Sequence, residues 1–134
     1  MEATGGRQPQ GAYITQELLK ELNKIGNRLL IGVPCERKEG EKRLALTPEA
    51  VDMLTDRGHH VLVESGAGLG INYSDNHYSE AGAEIVTTPA EVFQADIILK
   101  ILPPLPQEIL LMKPRSTVFS MVQLNLFSQE AFAL

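Results

Sequence analysis

Residues 29–65 read LLIGVPCERKEGEKRLALTPEAVDMLTDRGHHVLVES, and this stretch decides the fold class. Its opening, Leu29 to Val33, is a wholly apolar run broken by Pro34, the pattern of a short strand buried on both faces rather than one with a wet side. Thr47-Pro48-Glu49 then opens a helix. The Thr47 hydroxyl can accept from a free backbone N–H of the first turn, and Pro48 stands at the first helical position, where a missing N–H costs nothing. Val51 and Leu54, with Met53 beside them, supply the apolar stripe, and Gly58 after Arg57 stops the helix. Val61-Leu62-Val63 is a second apolar strand, ending at Glu64. An apolar strand, a helix and another apolar strand form a right-handed crossover between parallel strands.

The pattern repeats downstream. Ser74 to Ala81 predicts a short helix stopped by Gly82, and Ala83 to Val86 a third strand. Thr88-Pro89-Ala90-Glu91 repeats the cap and proline and adds a capping-box carboxylate. Asp96 to Lys100 reads as a fourth strand, Gln107 to Lys113 as a helix and Thr117 to Val122 as a fifth strand. The fold class is therefore α/β: a Rossmann-like, doubly wound, mainly parallel sheet with helices on both faces. Residues 1–28 are set apart as an N-terminal arm and a short helix, the latter from Thr15 to Ile25 with Leu18, Leu19, Leu22 and Ile25 at helical spacing. Residues 29–134 form the domain. Ser128 followed by Gln129 to Leu134 resembles the first turns of a helix with no C-cap, so the chain is expected to be the front part of a longer polypeptide.

Composition bounds the function. A chain of 134 residues accommodates one ordinary domain, so an enzyme needing separate substrate and cofactor domains would find the second elsewhere. With 12 Lys+Arg against 17 Asp+Glu, the net charge of −5 gives nucleic-acid binding no electrostatic support. Apolar runs are too short for a membrane helix and no signal pattern is present, which makes a cytoplasmic domain the expectation. The single cysteine, Cys35, and the absence of Cys/His spacing leave no metal motif.

Gly66-Ala67-Gly68-Leu69-Gly70 follows a strand and imitates a dinucleotide fingerprint, but the glycines fall as G-x-G-x-G and more loop precedes the next helix. A pyrophosphate site needs G-x-G-x-x-G running straight into a helix N-terminus. The loop reads instead as a tight turn whose glycines permit positive φ. Ligands of doubly wound sheets bind outside the carboxyl ends of the strands, which singles out two cations. Lys100 ends the fourth strand among apolar neighbours: either a ligand carboxylate partners it, or it reaches solvent at the sheet edge. Arg43, next to Leu44-Ala45-Leu46, is the charge of the loop 36–43 expected to turn inward and grip a carboxylate with its guanidinium fork. The rest of that loop alternates in sign and reads as solvated. His59, His60 and His77 read as structural or exposed, and Cys35 has no neighbouring His to make it a nucleophile. The residues alone thus point to an anion site of carboxylate size with no acid or base assigned.

Several motifs, in order, resemble one family. Gly32-Val33-Pro34, Glu36, Glu41-x-Arg43-x-Ala45-x-Thr47-Pro48, Val51-x-x-Leu54 and Gly58-His59 are followed by Val61 through Gly68, Tyr78-x-x-Ala81-Gly82-Ala83 and Ala95-Asp96-Ile97-Ile98-Leu99-Lys100-x-x-x-Pro104. Together they are similar to the N-terminal domain shared by alanine dehydrogenases and the alpha subunit of nicotinamide nucleotide transhydrogenases, over roughly residues 29 to 127. The resemblance implies that Arg43 and Lys100 bind the carboxylate of pyruvate or alanine. It also implies that NAD is bound by a second domain and none by this chain, that the assembly is a homo-oligomer, and that this chain alone is inactive. Gln123 stands where dehydrogenases of the family carry a histidine that polarises the substrate carbonyl. Glutamine can donate a hydrogen bond there but cannot exchange a proton near pH 7. Three readings follow: the substrate-binding domain of an NAD-dependent alanine dehydrogenase, the corresponding part of a transhydrogenase with its membrane partner, and a non-catalytic ligand-binding or interaction module.

Overall fold

The structure is a computed structural model that describes residues 28–120. The expected helix at Thr15–Ile25, the end of the fifth strand beyond Ser120, Gln123 and the helix expected from Ser128 lie outside the described residues. Within them the chain alternates as expected: β1 (Leu30–Val33), α1 (Pro48–Asp56), β2 (His60–Glu64), α2 (Asp75–Glu80), β3 (Glu84–Val86), α3 (Pro89–Val92), β4 (Ile97–Leu99), α4 (Pro106–Ile109) and β5 (Thr117–Phe119). The five strands form one sheet in the order β3-β2-β1-β4-β5, and every pairing is parallel. The chain winds outward from β1 through β2 to β3, then returns to the other side of β1 for β4 and β5. The reversal leaves a crevice between the carboxyl ends of β1 and β4, where folds of this topology take their ligands.

Alternation along the strands makes two cores. Ile31, Val33, Val61 and Val63 meet Val51 of α1 and Tyr78 of α2 on one face, while Leu62, Val86 and Ile98 meet Val92 and Phe93 on the other. Gly32 faces this second core because α3 leaves no room for more: a Cβ there would stand 2.4 Å from the Val92 carbonyl oxygen and 2.9 Å from the Ala95 methyl. Thr47 and Thr88 cap α1 and α3 as their sequences require, accepting from the N–H groups of Ala50 and Glu91. Gly58 and Gly82 take the left-handed conformation after α1 and α2, with φ of 92° and 100°.

Three local expectations change. Met53 is 61% exposed and takes no part in the stripe of α1. The helix expected at Gln107–Lys113 starts at Pro106 and ends at Ile109; tighter turns follow, with Leu111 N–H donating to Glu108 and Met112 N–H to Ile109. Pro114 keeps only Lys113 out of helical conformation; the helix has already given way to the tighter turns four residues before it. In the glycine loop only Gly66 has positive φ, at 83°. Gly68 and Gly70 are there for close approach: Cβ atoms would stand 2.5 Å from the Tyr78 ring and 2.6 Å from the Lys42 carbonyl oxygen, respectively.

Candidate functional site

The carboxyl ends of β1, β2 and β4 carry charges that are mostly buried. Pro34 ends β1, and two residues later the Glu36 side chain, 3% exposed, crosses the crevice to β4. It accepts from the Lys100 ammonium at 3.2 Å and from the backbone N–H groups of Ile101 at 2.7 Å and Leu102 at 3.3 Å. The Lys100 side chain is 2% exposed and has a second carboxylate, Glu108 of α4, at 3.7 Å. Glu108 Oε1 also accepts from the Leu105 N–H at 2.8 Å, closing back on the residue before its own helix.

Arg37 continues the network toward β2. Its Nη2 donates to Glu64 at 2.7 Å, its Nη1 donates to the Cys35 carbonyl at 2.9 Å, and its Nε lies 3.9 Å from Glu108 Oε2. Burial opposes its charge, but the hydrogen bond and charge of Glu64, with Glu108 behind them, outweigh it and raise its pKa. Glu64 also accepts from the Cys35 N–H at 3.0 Å. Three carboxylates, Glu36, Glu64 and Glu108, thus share two cations, Arg37 and Lys100, and Glu108 Oε2 is left without a hydrogen-bond partner among the described residues. Burial, followed by the charge of Glu64, pushes the Cys35 thiol up to about 11. It is an inert thiol, not a nucleophile.

The two cations singled out from the sequence therefore differ. Lys100 does not reach solvent at a sheet edge; the carboxylates of Glu36 and Glu108 stand beside its buried ammonium. Arg43 does not turn inward: its side chain is 59% exposed and forms a fork with Glu41, Nη2 to Oε2 at 2.7 Å and Nε to Oε1 at 2.9 Å. The reason is the neighbouring Leu44, which occupies the core-facing position and sends the flanking guanidinium outward. The Arg43 hydrogen bonds hold the Glu41 carboxyl down to about 2. The hydrogen bonds and charge of Glu41 in turn raise Arg43, and the charge of Glu36 acts in the same direction.

Glu36 and Arg37 lie inside the alternating-sign loop and Glu108 inside a short helix, so sequence alone does not single them out. Glu64 carries the same signal as Lys100, a charge at the carboxyl end of an apolar strand, and that rule finds it. The histidines lie where expected, away from the crevice. His59 Nδ1 accepts from the Leu29 N–H, His60 pairs with Glu84 at the amino ends of β2 and β3, and His77 Nδ1 accepts from the Ser74 N–H.

The glycine loop does not fit a dinucleotide. It runs into a 3₁₀ turn, Leu69–Ile71, and the open sides of Gly68 and Gly70 are filled by Tyr78 and Lys42. A pyrophosphate therefore finds no approach over Gly68 or Gly70. Among the described residues no group of His, Cys, Asp and Glu is arranged to hold a metal ion, and no helix is long and apolar enough to cross a membrane.

Comparison with known proteins agrees with this geometry. The chain is 42% identical over 106 residues to the alanine dehydrogenase of Bacillus subtilis (strain 168), covering 79% of this chain and 28% of that protein. It is 44% identical over 97 residues to that of Methanococcus maripaludis, covering 72% and 26%. The chain thus spans about a quarter of the length of these relatives. Among solved structures it superposes on an L-alanine dehydrogenase with a TM-score of 0.67 and 36% identity, over 69% of this chain and 26% of that one. A transhydrogenase from Sinorhizobium meliloti gives 0.66 and 35%, over 69% and 28%. Residues 32–133 match the family model described as alanine dehydrogenase/PNT, N-terminal domain, and the chain belongs to that family.

Proposed function

We propose that this chain is the substrate-binding domain of an NAD-dependent alanine dehydrogenase-like oxidoreductase, which interconverts L-alanine and pyruvate. The observation that carries this reading is the placement of Arg43. It is an exposed guanidinium in the E-x-R-x-A-x-T-P motif, held in shape by Glu41. An accessible fork of this kind can turn from Glu41 to a ligand carboxylate, which offers it the same two-point geometry.

Arg43 and Lys100 serve the substrate unequally on this reading. Arg43 makes the direct carboxylate contact. Lys100, its ammonium shared by Glu36 and Glu108, fixes the crevice wall. Gln123 donates to the substrate carbonyl or contacts its amine. The dinucleotide is held by a domain outside this chain, the assembly is a homo-oligomer, and its place is the cytoplasm. Structural likeness is equal for the dehydrogenase and the transhydrogenase, but sequence relatives 40–44% identical are named alanine dehydrogenases, which favours the first.

Titration of the 134-residue chain with pyruvate tests the reading. Binding is expected to weaken by about tenfold or more in Arg43→Ala, the loss of one charge-assisted contact of about 1.5–3 kcal/mol. Equal affinity of the parent and Arg43→Ala chains would remove Arg43 from the site.

A further inference from the structure

We propose that Gly70 is a positioning residue for Arg43, and that the glycine loop serves the substrate carboxylate by bracing the backbone that presents this arginine. The inference rests on the reading of Arg43 as the carboxylate contact. Arg43 is exposed, so no packing of its own side chain fixes it. Its backbone is fixed from both sides instead. On the amino side, Gly70 lies so close to Lys42 that a Cβ would stand 2.6 Å from its carbonyl oxygen and 2.9 Å from its Cα and Cβ. On the carboxyl side, the Tyr78 hydroxyl donates to the Leu46 carbonyl at 2.8 Å. Gly68 makes that reach possible, since a Cβ there would collide with the Tyr78 ring.

Both braces come from the segment 66–78 and both grip the segment 42–46. Gly70 lacks the positive φ that would require glycine for conformational reasons; among the loop glycines only Gly66 has it. The demand at Gly70 is therefore for space against the peptide joining Lys42 to Arg43. Any side chain there must push main chain, which cannot swing aside as a flexible side chain would.

The test uses the 134-residue chain labelled with ¹⁵N, comparing Gly70→Ala with Gly66→Ala. Before any ligand is added, Gly70→Ala is expected to move the Arg43 Nε–Hε resonance and the Arg43 amide. Gly66→Ala strains its own turn and is expected to lower thermal stability while leaving the Arg43 side-chain resonance in place. Pyruvate and pyruvamide are then titrated, because an arginine fork distinguishes carboxylate from amide. Gly70→Ala is expected to reduce the preference for pyruvate by about tenfold, the scale of loss that follows misplacement of a contact group by a fraction of an ångström to an ångström. A merely structural role would lower affinity for both ligands alike. Tyr78→Phe, which removes the second brace and keeps the ring, is expected to shift the same Arg43 resonance and keeps the test open if Gly70→Ala does not fold.

Unchanged Arg43 resonances and an unchanged pyruvate-to-pyruvamide ratio in folded Gly70→Ala would overturn the proposal. Arg43→Ala separates the two levels: if it keeps the pyruvate preference, the carboxylate role of Arg43 fails, whereas the ligand-free resonances still decide whether Gly70 positions it.

Discussion

An ammonium with 2% of its side chain exposed, as on Lys100, can stay charged only with anions beside it, and Glu36 and Glu108 supply them. Replacing it by methionine takes the ammonium away from two buried carboxylates. Urea unfolding of Lys100→Met is expected to show a loss of about 3–5 kcal/mol, the usual cost of breaking a buried pair from one side. A loss below about 1 kcal/mol would mean that Lys100 is not structural. The need for an anion could be read from the apolar neighbours of Lys100. Which anion answers it could not, because Glu36 is 64 residues away and looks like Glu39 or Glu41 in the same charged run. Its distinction is distance from the strand end, two residues past Pro34. Cys35 offers a second test. A thiol pushed up to about 11 is about one part in a thousand thiolate at pH 8, against roughly a quarter for an ordinary cysteine. Alkylation by iodoacetamide at pH 8 should be slower than for the unfolded chain by about two orders of magnitude or more; equal rates would contradict the burial and charge argument.

Elements with strong local chemistry could be read directly. Thr47-Pro48 and Thr88-Pro89 start α1 and α3 where caps and prolines place them, and the apolar runs become the strands. The end of α4 was misjudged because helical spacing continues to Lys113, while the backbone tightens after Ile109. Gly32 shows a demand that local sequence hides. It sits in a central strand, where glycine is normally a weakness, because α3 approaches it across the sheet. Gly32→Ala forces the Val92 carbonyl and Ala95 apart and is expected to cost about 1–3 kcal/mol in urea unfolding, the range for overpacking a core. A neutral result would show that α3 can back away freely.

Alternation of strands and helices established a parallel sheet, but not its order. The crevice exists because the chain crosses back over β1 between β3 and β4, bringing the carboxyl ends of β1, at Val33, and β4, at Leu99, side by side. Only that order unites Glu36 with Lys100. The proposed division of labour follows: a buried network braces the crevice wall, the glycine loop braces the segment carrying Arg43, and its accessible guanidinium is the group assigned to the ligand. The most direct test of this division is a map of ¹⁵N resonances in the 134-residue chain as pyruvate is added. The largest changes are expected at Arg43, including its Nε–Hε, with smaller ones at Ile101 and Leu102, and all of them are expected to disappear in Arg43→Ala. Changes confined to the amino ends of the strands, around His59 and His60, or a pattern indifferent to Arg43, would contradict it.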